Sequence, residues 1–363
     1  MKNVCFFDSI KFWGGGEKLH LEYAIEFRKK NYKVIIIAKA HSSLSEKAIS
    51  KGLEVFHLTV RNISFLNLFK IFELVYFYKK HKIDTVIFST SQDLKLGSFA
   101  AKFAGVKRIV YLRGLAAPIK SNFINNLLFK YILTHIISNS EATKSCILQN
   151  IGKYINHDKV KTIYHGIYTA ESKINNHICT EIALKGKGVI LGNAGRLTHQ
   201  KGQKYLIDIA VKLKEQKIDF TIFIAGSGEL QGELEQLIEK HSLQNEVILL
   251  GFVEDMDSFM NSIDIFLLTS IWEGFGYVLV EAMIKSKPIV AFDISSNPEI
   301  IANNETGFLI KYPNLELFTQ KTQFLIQNVE VRKQMGENGY ESVLRRFNLK
   351  DRITEFEYYL LGK

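Results

Sequence analysis

Two glutamates eight residues apart, Glu273 and Glu281, bracket the stretch of this sequence richest in chemistry, IWEGFGYVLVEAMIKSKPIVAFDISSNPE over 271–299. Gly274-Phe275-Gly276 follow the first of them, an apolar run Ile265–Leu268 precedes, and a second, Pro288–Phe292, comes after. That order reads as strand, glycine-bearing loop, short helix, strand, which presents helix-terminal N–H groups at the carboxyl end of a parallel sheet. The glycines let backbone approach a ligand closely, and a helix start at Gly274–Tyr277 favours an anion. Glu273 is then expected beside that anion and Glu281 about two turns down the helix. Carboxylates accept hydrogen bonds from hydroxyls, so the arrangement suits a sugar nucleotide.

A second cluster lies upstream in Gly195-Arg196-Leu197-Thr198-His199-Gln200-Lys201-Gly202, where a planar guanidinium and a point-charge ammonium stand five residues apart. Both can reach one diphosphate, which makes a metal ion unnecessary for stabilising a departing phosphate. The strand Gly188–Gly195 runs into this cluster, and strands Phe220–Ala225 and Val247–Gly251 run into Gly226-Ser227-Gly228-Glu229 and Phe252-Val253, so three strand-to-glycine transitions line one sheet edge. Asp255-Met256-Asp257 has the spacing of a metal motif, but it stands at a helix start, where carboxylates commonly cap.

The elements that must hold these groups follow from the rest of the chain. At 363 residues, two domains are expected. Strand candidates Val4–Phe7, Val34–Ala38, Glu54–Leu58, Thr85–Ser89, Arg108–Tyr111, Ile136–Ser140 and Val160–Tyr164 alternate with helical patterns, which implies a parallel sheet covered on both faces. After the first strand, Trp13-Gly14-Gly15-Gly16-Glu17 reads as a glycine-rich loop without dinucleotide spacing. The polar stretch Thr169–Lys187 reads as a linker, and Val331–Gly362 as helical with a break near Phe347-Asn348.

Composition excludes several classes. Hydrophobic residues make up 47% and charged residues 23%, as in a globular protein with ample core. No apolar run reaches the roughly 18–20 residues of a membrane span, and the opening residues lack a secretory signal, so a cytoplasmic location is expected. Cys5, Cys146 and Cys179 are too scattered for a disulfide framework or metal cluster. Residues 1–165 carry a net charge of +15 and residues 166–363 a net of −5. An acidic partner for the first half follows, and without nucleic-acid motifs an anionic membrane surface or acidic glycolipid fits it best. Two aromatic and basic segments, 63–82 and 119–137, read either as amphipathic helices on that surface or as helices packed on the sheet.

The order GR-L-x3-KG, GSGE, GFV and E-x7-E, from about Val189 to Leu309, closely resembles the retaining glycosyltransferases of family 4. Gly15, Gly16 and Glu17 match that family's GG-x-E loop, and His165-Gly166-Ile167 its turn closing the first domain. The resemblance implies an α/β fold of two Rossmann-like domains facing across a cleft, the GT-B architecture. Residues 1–165, completed by a C-terminal helix over about 346–363 that crosses back, would bind acceptor. Residues 166–345 would bind donor. Arg196, Lys201 and Glu273 are implied as catalytic; Gly15, Gly16, Gly195, Gly226, Gly228, Val253, Gly274, Phe275, Gly276, Tyr277 and Glu281 as donor-binding. Glu17 and Arg113 are acceptor candidates, Arg113 standing where many relatives carry a histidine. The implied reaction is retaining, metal-independent transfer of a hexose-type sugar from a nucleoside-diphosphate sugar, UDP-sugar foremost. Its acceptor would be a surface glycan, lipopolysaccharide or glycolipid, met peripherally at the inner face of the cell membrane, with no cofactor and no nucleic acid. A sugar-nucleotide 2-epimerase of the same fold is the alternative.

Overall fold

The computed structural model describes residues 2–169 and 176–361. The chain divides into two compact units, Met1–Gly166 with Lys350–Lys363 (unit 1) and Ile167–Leu349 (unit 2). Each is built on one fully parallel sheet.

Unit 1 holds β1 (Asn3–Asp8), β2 (Lys33–Ala38), β3 (Glu54–His57), β4 (Thr85–Phe88), β5 (Arg108–Arg113), β6 (His135–Ser138) and β7 (Val160–Thr162) in the order β3-β2-β1-β4-β5-β6-β7. Unit 2 holds β8 (Val189–Ala194), β9 (Phe220–Ala225), β10 (Val247–Gly251), β11 (Ile265–Leu268), β12 (Ile289–Phe292) and β13 (Gly307–Ile310) in the order β10-β9-β8-β11-β12-β13. Central strands such as Val34–Ile37 and Ile265–Leu268 are apolar without alternation because helices cover both faces. Fully burying a side chain the size of Phe266 or Phe88 contributes about 1.5–3 kcal/mol. Each sheet reverses its winding once, between β1 and β4 in unit 1 and between β8 and β11 in unit 2. In open parallel sheets that reversal leaves a crevice at the carboxyl ends of the two strands.

Several sequence expectations need correction. Of the polar stretch 169–187, residues 170–175 lie outside the described residues, while Asn176–Lys185 is a helix. Ile182 is buried and Cys179 Sγ lies 3.8 Å from the Ser258 carbonyl oxygen, so this helix is part of unit 2 rather than a linker. The segment 119–137 is core on one side only: its helix Phe123–Leu127 passes into a wider turn, Leu128–Ile132, that buries Leu128, Phe129 and Ile132 while Phe123 and Tyr131 stay exposed. The triple glycine is not wholly a loop either, since Gly15–Lys29 is helical and Gly15, Gly16 and Glu17 form its first turn.

The break at Phe347-Asn348 is real and has a physical cause. Phe347 is fully buried against the ring of Phe275, 5.6 Å away, and the backbone there pairs with Ile167 instead of continuing the helix Val329–Arg346. The chain then forms the helix Leu349–Leu361, and Gly362 and Lys363 lie outside the described residues. That last helix packs on unit 1: Phe356 meets Tyr23 edge-on at 5.1 Å, Lys30 pairs with Glu357 at 2.7 Å, and Arg108 Nε donates to the Leu360 carbonyl at 2.7 Å. No helix among the described residues is long and apolar enough to cross a membrane.

Candidate active site

The chemistry of unit 2 gathers after β8 and β11, the two strands flanking its reversal point. Leaving β8, the chain turns at Gly195, whose N–H donates to the Ala225 carbonyl at 2.9 Å. Gly226 follows β9 with φ 148°, and a Cβ there would sit 1.9 Å from the Gly195 carbonyl oxygen. Only glycine lets these two loops touch. Leu197 N–H donates to the Ser227 carbonyl at 3.0 Å, closing the contact around Gly228. Arg196 projects from this turn as an exposed residue, while its carbonyl accepts from Gln203 Nε2 at 3.0 Å.

After β11, the segment Thr269–Glu273 folds onto the loop after β8. Ile271 N–H donates to the Gln200 carbonyl at 2.8 Å, and Gln200 Nε2 donates to the Trp272 carbonyl at 3.0 Å. These bonds bring two side chains distant in sequence into direct contact. Lys201 Nζ lies 2.6 Å from Glu273 Oε1, and Ser270 Oγ donates to the same oxygen at 2.6 Å. Glu273 is 5% exposed, so the ion pair is largely withdrawn from water. Withdrawing a carboxylate from water is costly unless such partners meet it. An ammonium has three donors, and the carboxylate takes one; two remain for other oxygens.

Gly276 adopts a left-handed conformation, φ 67°, and opens the helix Tyr277–Met283. This helix has seven residues, so Glu281 stands about one turn inside it rather than two. Phe275 and Val253 are buried, whereas Tyr277 and Glu281 are half-buried. Asp255 caps the helix Met256–Ser262, accepting from Ser258 N–H at 3.0 Å and Ser258 Oγ at 2.7 Å. Asp257 pairs with Lys285 at 3.0 Å, so the two carboxylates face different partners.

The remaining candidates belong to unit 1. Gly15 and Gly16 are exposed, and Glu17 brings a carboxylate oxygen back over Gly14. Arg113 ends β5 and braces its own loop, donating to Tyr111 Oη at 3.0 Å and to the Ala117 carbonyl at 3.1 Å. An acceptor role must therefore use an arginine already engaged on one side.

Unit 1 also contains a polar cluster that motif reading missed, at the carboxyl ends of β1 and β4. Asp8 accepts from Ser89 Oγ at 2.6 Å. Asp93 accepts from Ser9 N–H at 2.9 Å, Ser9 Oγ at 2.5 Å and Thr90 Oγ1 at 2.6 Å. Burial, with the neighbouring Asp8 carboxylate adding to it, pushes Asp93 up to about 7. Nearby, burial lowers His20, against the pull of Asp8, and takes His165 down to about 3, so both imidazoles are neutral at physiological pH. Ser270 was missed as well, although its place three residues before Glu273 is a legible hydroxyl-to-carboxylate spacing.

Comparison with known proteins adds to this geometry. Residues 178–342 match the family described as Glycosyl transferases group 1, and residues 13–171 match Glycosyltransferase Family 4. The chain is 26% identical to the UDP-Gal:alpha-D-GlcNAc-diphosphoundecaprenol alpha-1,3-galactosyltransferase of Escherichia coli, covering 82% of this chain and 80% of that one. It is 28% identical to a Campylobacter jejuni N-acetylgalactosaminyltransferase named for a diphospho-undecaprenol acceptor, over 67% of this chain and 66% of that one. In fold, it superposes with a TM-score of 0.87 on the crystal structure of HepE of Anabaena in complex with UDP-glucose, at 22% identity over 100% of both chains.

Proposed function

The chain belongs to the glycosyltransferases of the family 4 type, with the GT-B pair of Rossmann-like domains, and from that premise we propose that it transfers a hexose-type sugar from UDP-sugar to a lipid-linked glycan, with retention and without a metal. The observation that carries the chemistry is the buried contact of Lys201 with Glu273. Lys201 has donors to spare for the leaving diphosphate, and Arg196, five residues earlier, adds a second cation on the same loop. Charge on that diphosphate peaks as the anomeric bond breaks, so cations held there in advance stabilise the transition state more than the bound donor.

The same contact argues against Glu273 as a covalent nucleophile. Its Oε1 is held by an ammonium and a hydroxyl, which draws electron density away from attack. A double displacement needs a carboxylate delivered to the anomeric carbon. Same-face transfer, in which a donor phosphate oxygen takes the acceptor proton, asks of Glu273 only that it accept hydrogen bonds from sugar hydroxyls. Glu281 takes the ribose hydroxyls under this assignment.

The acceptor class rests on the E. coli and C. jejuni relatives, whose names carry undecaprenyl diphosphate acceptors. It agrees with the +15 charge of residues 1–165, since a diphosphate lipid sits in an anionic surface. The test is a panel of UDP-, GDP- and ADP-sugars with a polyprenyl-diphosphate glycan, product configuration being read by NMR with and without EDTA. UDP-sugar turnover with a retained anomer, unchanged by EDTA, is expected. An inverted product, or loss with EDTA restored by manganese, overturns the assignment and returns Asp255 and Asp257 to consideration.

A further inference from the structure

A helix that lies on a sheet has one apolar face, turned inward. The helix Leu68–Lys80 in unit 1 has two. Leu74, Phe77 and Tyr78 are buried in the unit 1 core, with Ile71 and Val75 packed beside them. On the opposite side, Leu68, Phe72 and Tyr76 follow one another at four-residue spacing, with Phe69 alongside, and all four are exposed. Phe69 is 89% exposed and Phe72 68%. The preceding turn, Ser64–Leu66, continues this face with Ile63 and Leu66, also exposed. Single exposed apolar residues are ordinary on a protein surface; six within fourteen residues of one segment are not.

The charges around the face identify its occupant. Between residues 61 and 83 the chain carries five Lys and Arg and a single carboxylate, Glu73. Arg61, Lys79, Lys80 and Lys82 are exposed, and Lys80 Nζ stands over the Tyr76 ring at 5.8 Å. Two copies of this chain meeting through the face would bring these cations together, which opposes self-association. Anionic lipid headgroups meet them with opposite sign while the aromatic and aliphatic side chains enter the acyl boundary. Thirteen residues, about 20 Å of helix, lie along such an interface and cannot span it.

We propose that the outer face of the helix Leu68–Lys80, with Ile63 and Leu66, is the element by which this protein docks on an anionic lipid bilayer. The inference sharpens the lipid-linked acceptor reading by giving the enzyme an address on the surface where such an acceptor resides. Segment 119–137 offers two exposed large apolar side chains, Phe123 and Tyr131, against six here, its Leu128, Phe129 and Ile132 being core.

The test is flotation of the full-length protein with vesicles of phosphatidylcholine alone and of equal parts phosphatidylcholine and phosphatidylglycerol. The wild type should float with the anionic vesicles, less so at high salt. The double variant Phe69→Ser/Phe72→Ser should bind at least about tenfold more weakly, with circular dichroism and thermal midpoint unchanged because both side chains are solvent-facing. Equal recovery on both vesicle types, unaltered binding by the double variant, or no recovery of the wild type overturns the proposal. So does a concentration-dependent dimer that the double variant dissolves while vesicles recover nothing. UDP binding by calorimetry separates this result from the donor reading: its loss in the wild type would count against that reading and leave the vesicle result standing.

Discussion

The two units solve the same problem in different ways. Both are open parallel sheets with one reversal of winding, and both place polar groups at the carboxyl ends of the strands that flank it. In unit 2 those groups come from two short glycine-bearing loops, Gly195–Gly202 with Arg196 and Lys201, and 273–281 with Glu273 and Glu281. In unit 1 they come from side chains scattered along the chain: Asp8 at the end of β1 and Ser9 after it, then Ser89, Thr90 and Asp93 after β4, with Asn139 and His165 beyond the neighbouring β6 and β7. A site made of backbone and neighbours leaves a motif. A site made of long-range side-chain contacts leaves none, however well ordered it is.

Removing Lys201 should have the largest consequence. Lys201→Ala takes a cation from buried Glu273 and, on the proposed assignment, from the leaving group, so kcat should fall about 10²–10³-fold. The loss in UDP affinity, read by calorimetry, should be much smaller. Equal losses in both would mean that Lys201 binds donor uniformly and does no work specific to the transition state.

Gly226→Ala tests whether unit 2 depends on backbone contact. Its Cβ would collide with the Gly195 carbonyl, so unit 2 should lose about 3 kcal/mol or more, seen as early exchange of amides in β8 and β9 while β1 and β4 keep their protection. Uniform loss of protection in both sheets would show that the units do not unfold separately.

In unit 1 the corresponding dependence is on charge. Asp93 titrates near 7 when folded and near 4 when unfolded, so the folded state holds its proton more tightly. Stability contributed by the protonated form is complete below about pH 4 and declines as pH rises towards about 7, by at most ~1.4 kcal/mol per pH unit. Urea unfolding of wild type and Asp93→Asn from pH 4.5 to 7.5 should show this decline in the wild type only, beside a constant offset for the lost acceptors. A wild-type curve that rises relative to the variant would refute the sign.

The smallest effect is expected at Gly16, in the first turn of its helix, where an added Cβ would meet nothing within 4 Å. Gly16→Ala should leave unit 1 as stable or gain up to about 1 kcal/mol. If turnover nevertheless falls, the absent side chain serves a ligand and not the fold; unchanged turnover would remove Gly16 from the donor site.

The sheets were legible because buried parallel strands leave continuous apolar runs: Phe220–Ala225 and Val247–Gly251 are β9 and β10 to the residue. Lys201, Glu273 and the glycines around them were legible one by one, for the same local reason. Their contact was not. It depends on β8 and β11 lying side by side, and no spacing in the sequence states which strands are neighbours. The outward face of Leu68–Lys80 was ambiguous for a related reason, since composition alone cannot say which of two apolar faces finds a partner.

The return of the last helix to unit 1 has a consequence for synthesis. Phe356 seals Tyr23 and Phe27, and Tyr359 and Leu360 bond to Lys159 and Arg108, so unit 1 is assembled from both ends of the chain. All of unit 2 is encoded between those ends. A ribosome adding about 5–20 residues per second takes roughly 10–40 s to traverse it. For that interval the nascent first unit carries an uncovered aromatic groove, while unit 2 can close as soon as it emerges. The half translated first is therefore the half completed last, and translational stalling within unit 2 prolongs the time its seam lies open to chaperones or to aggregation.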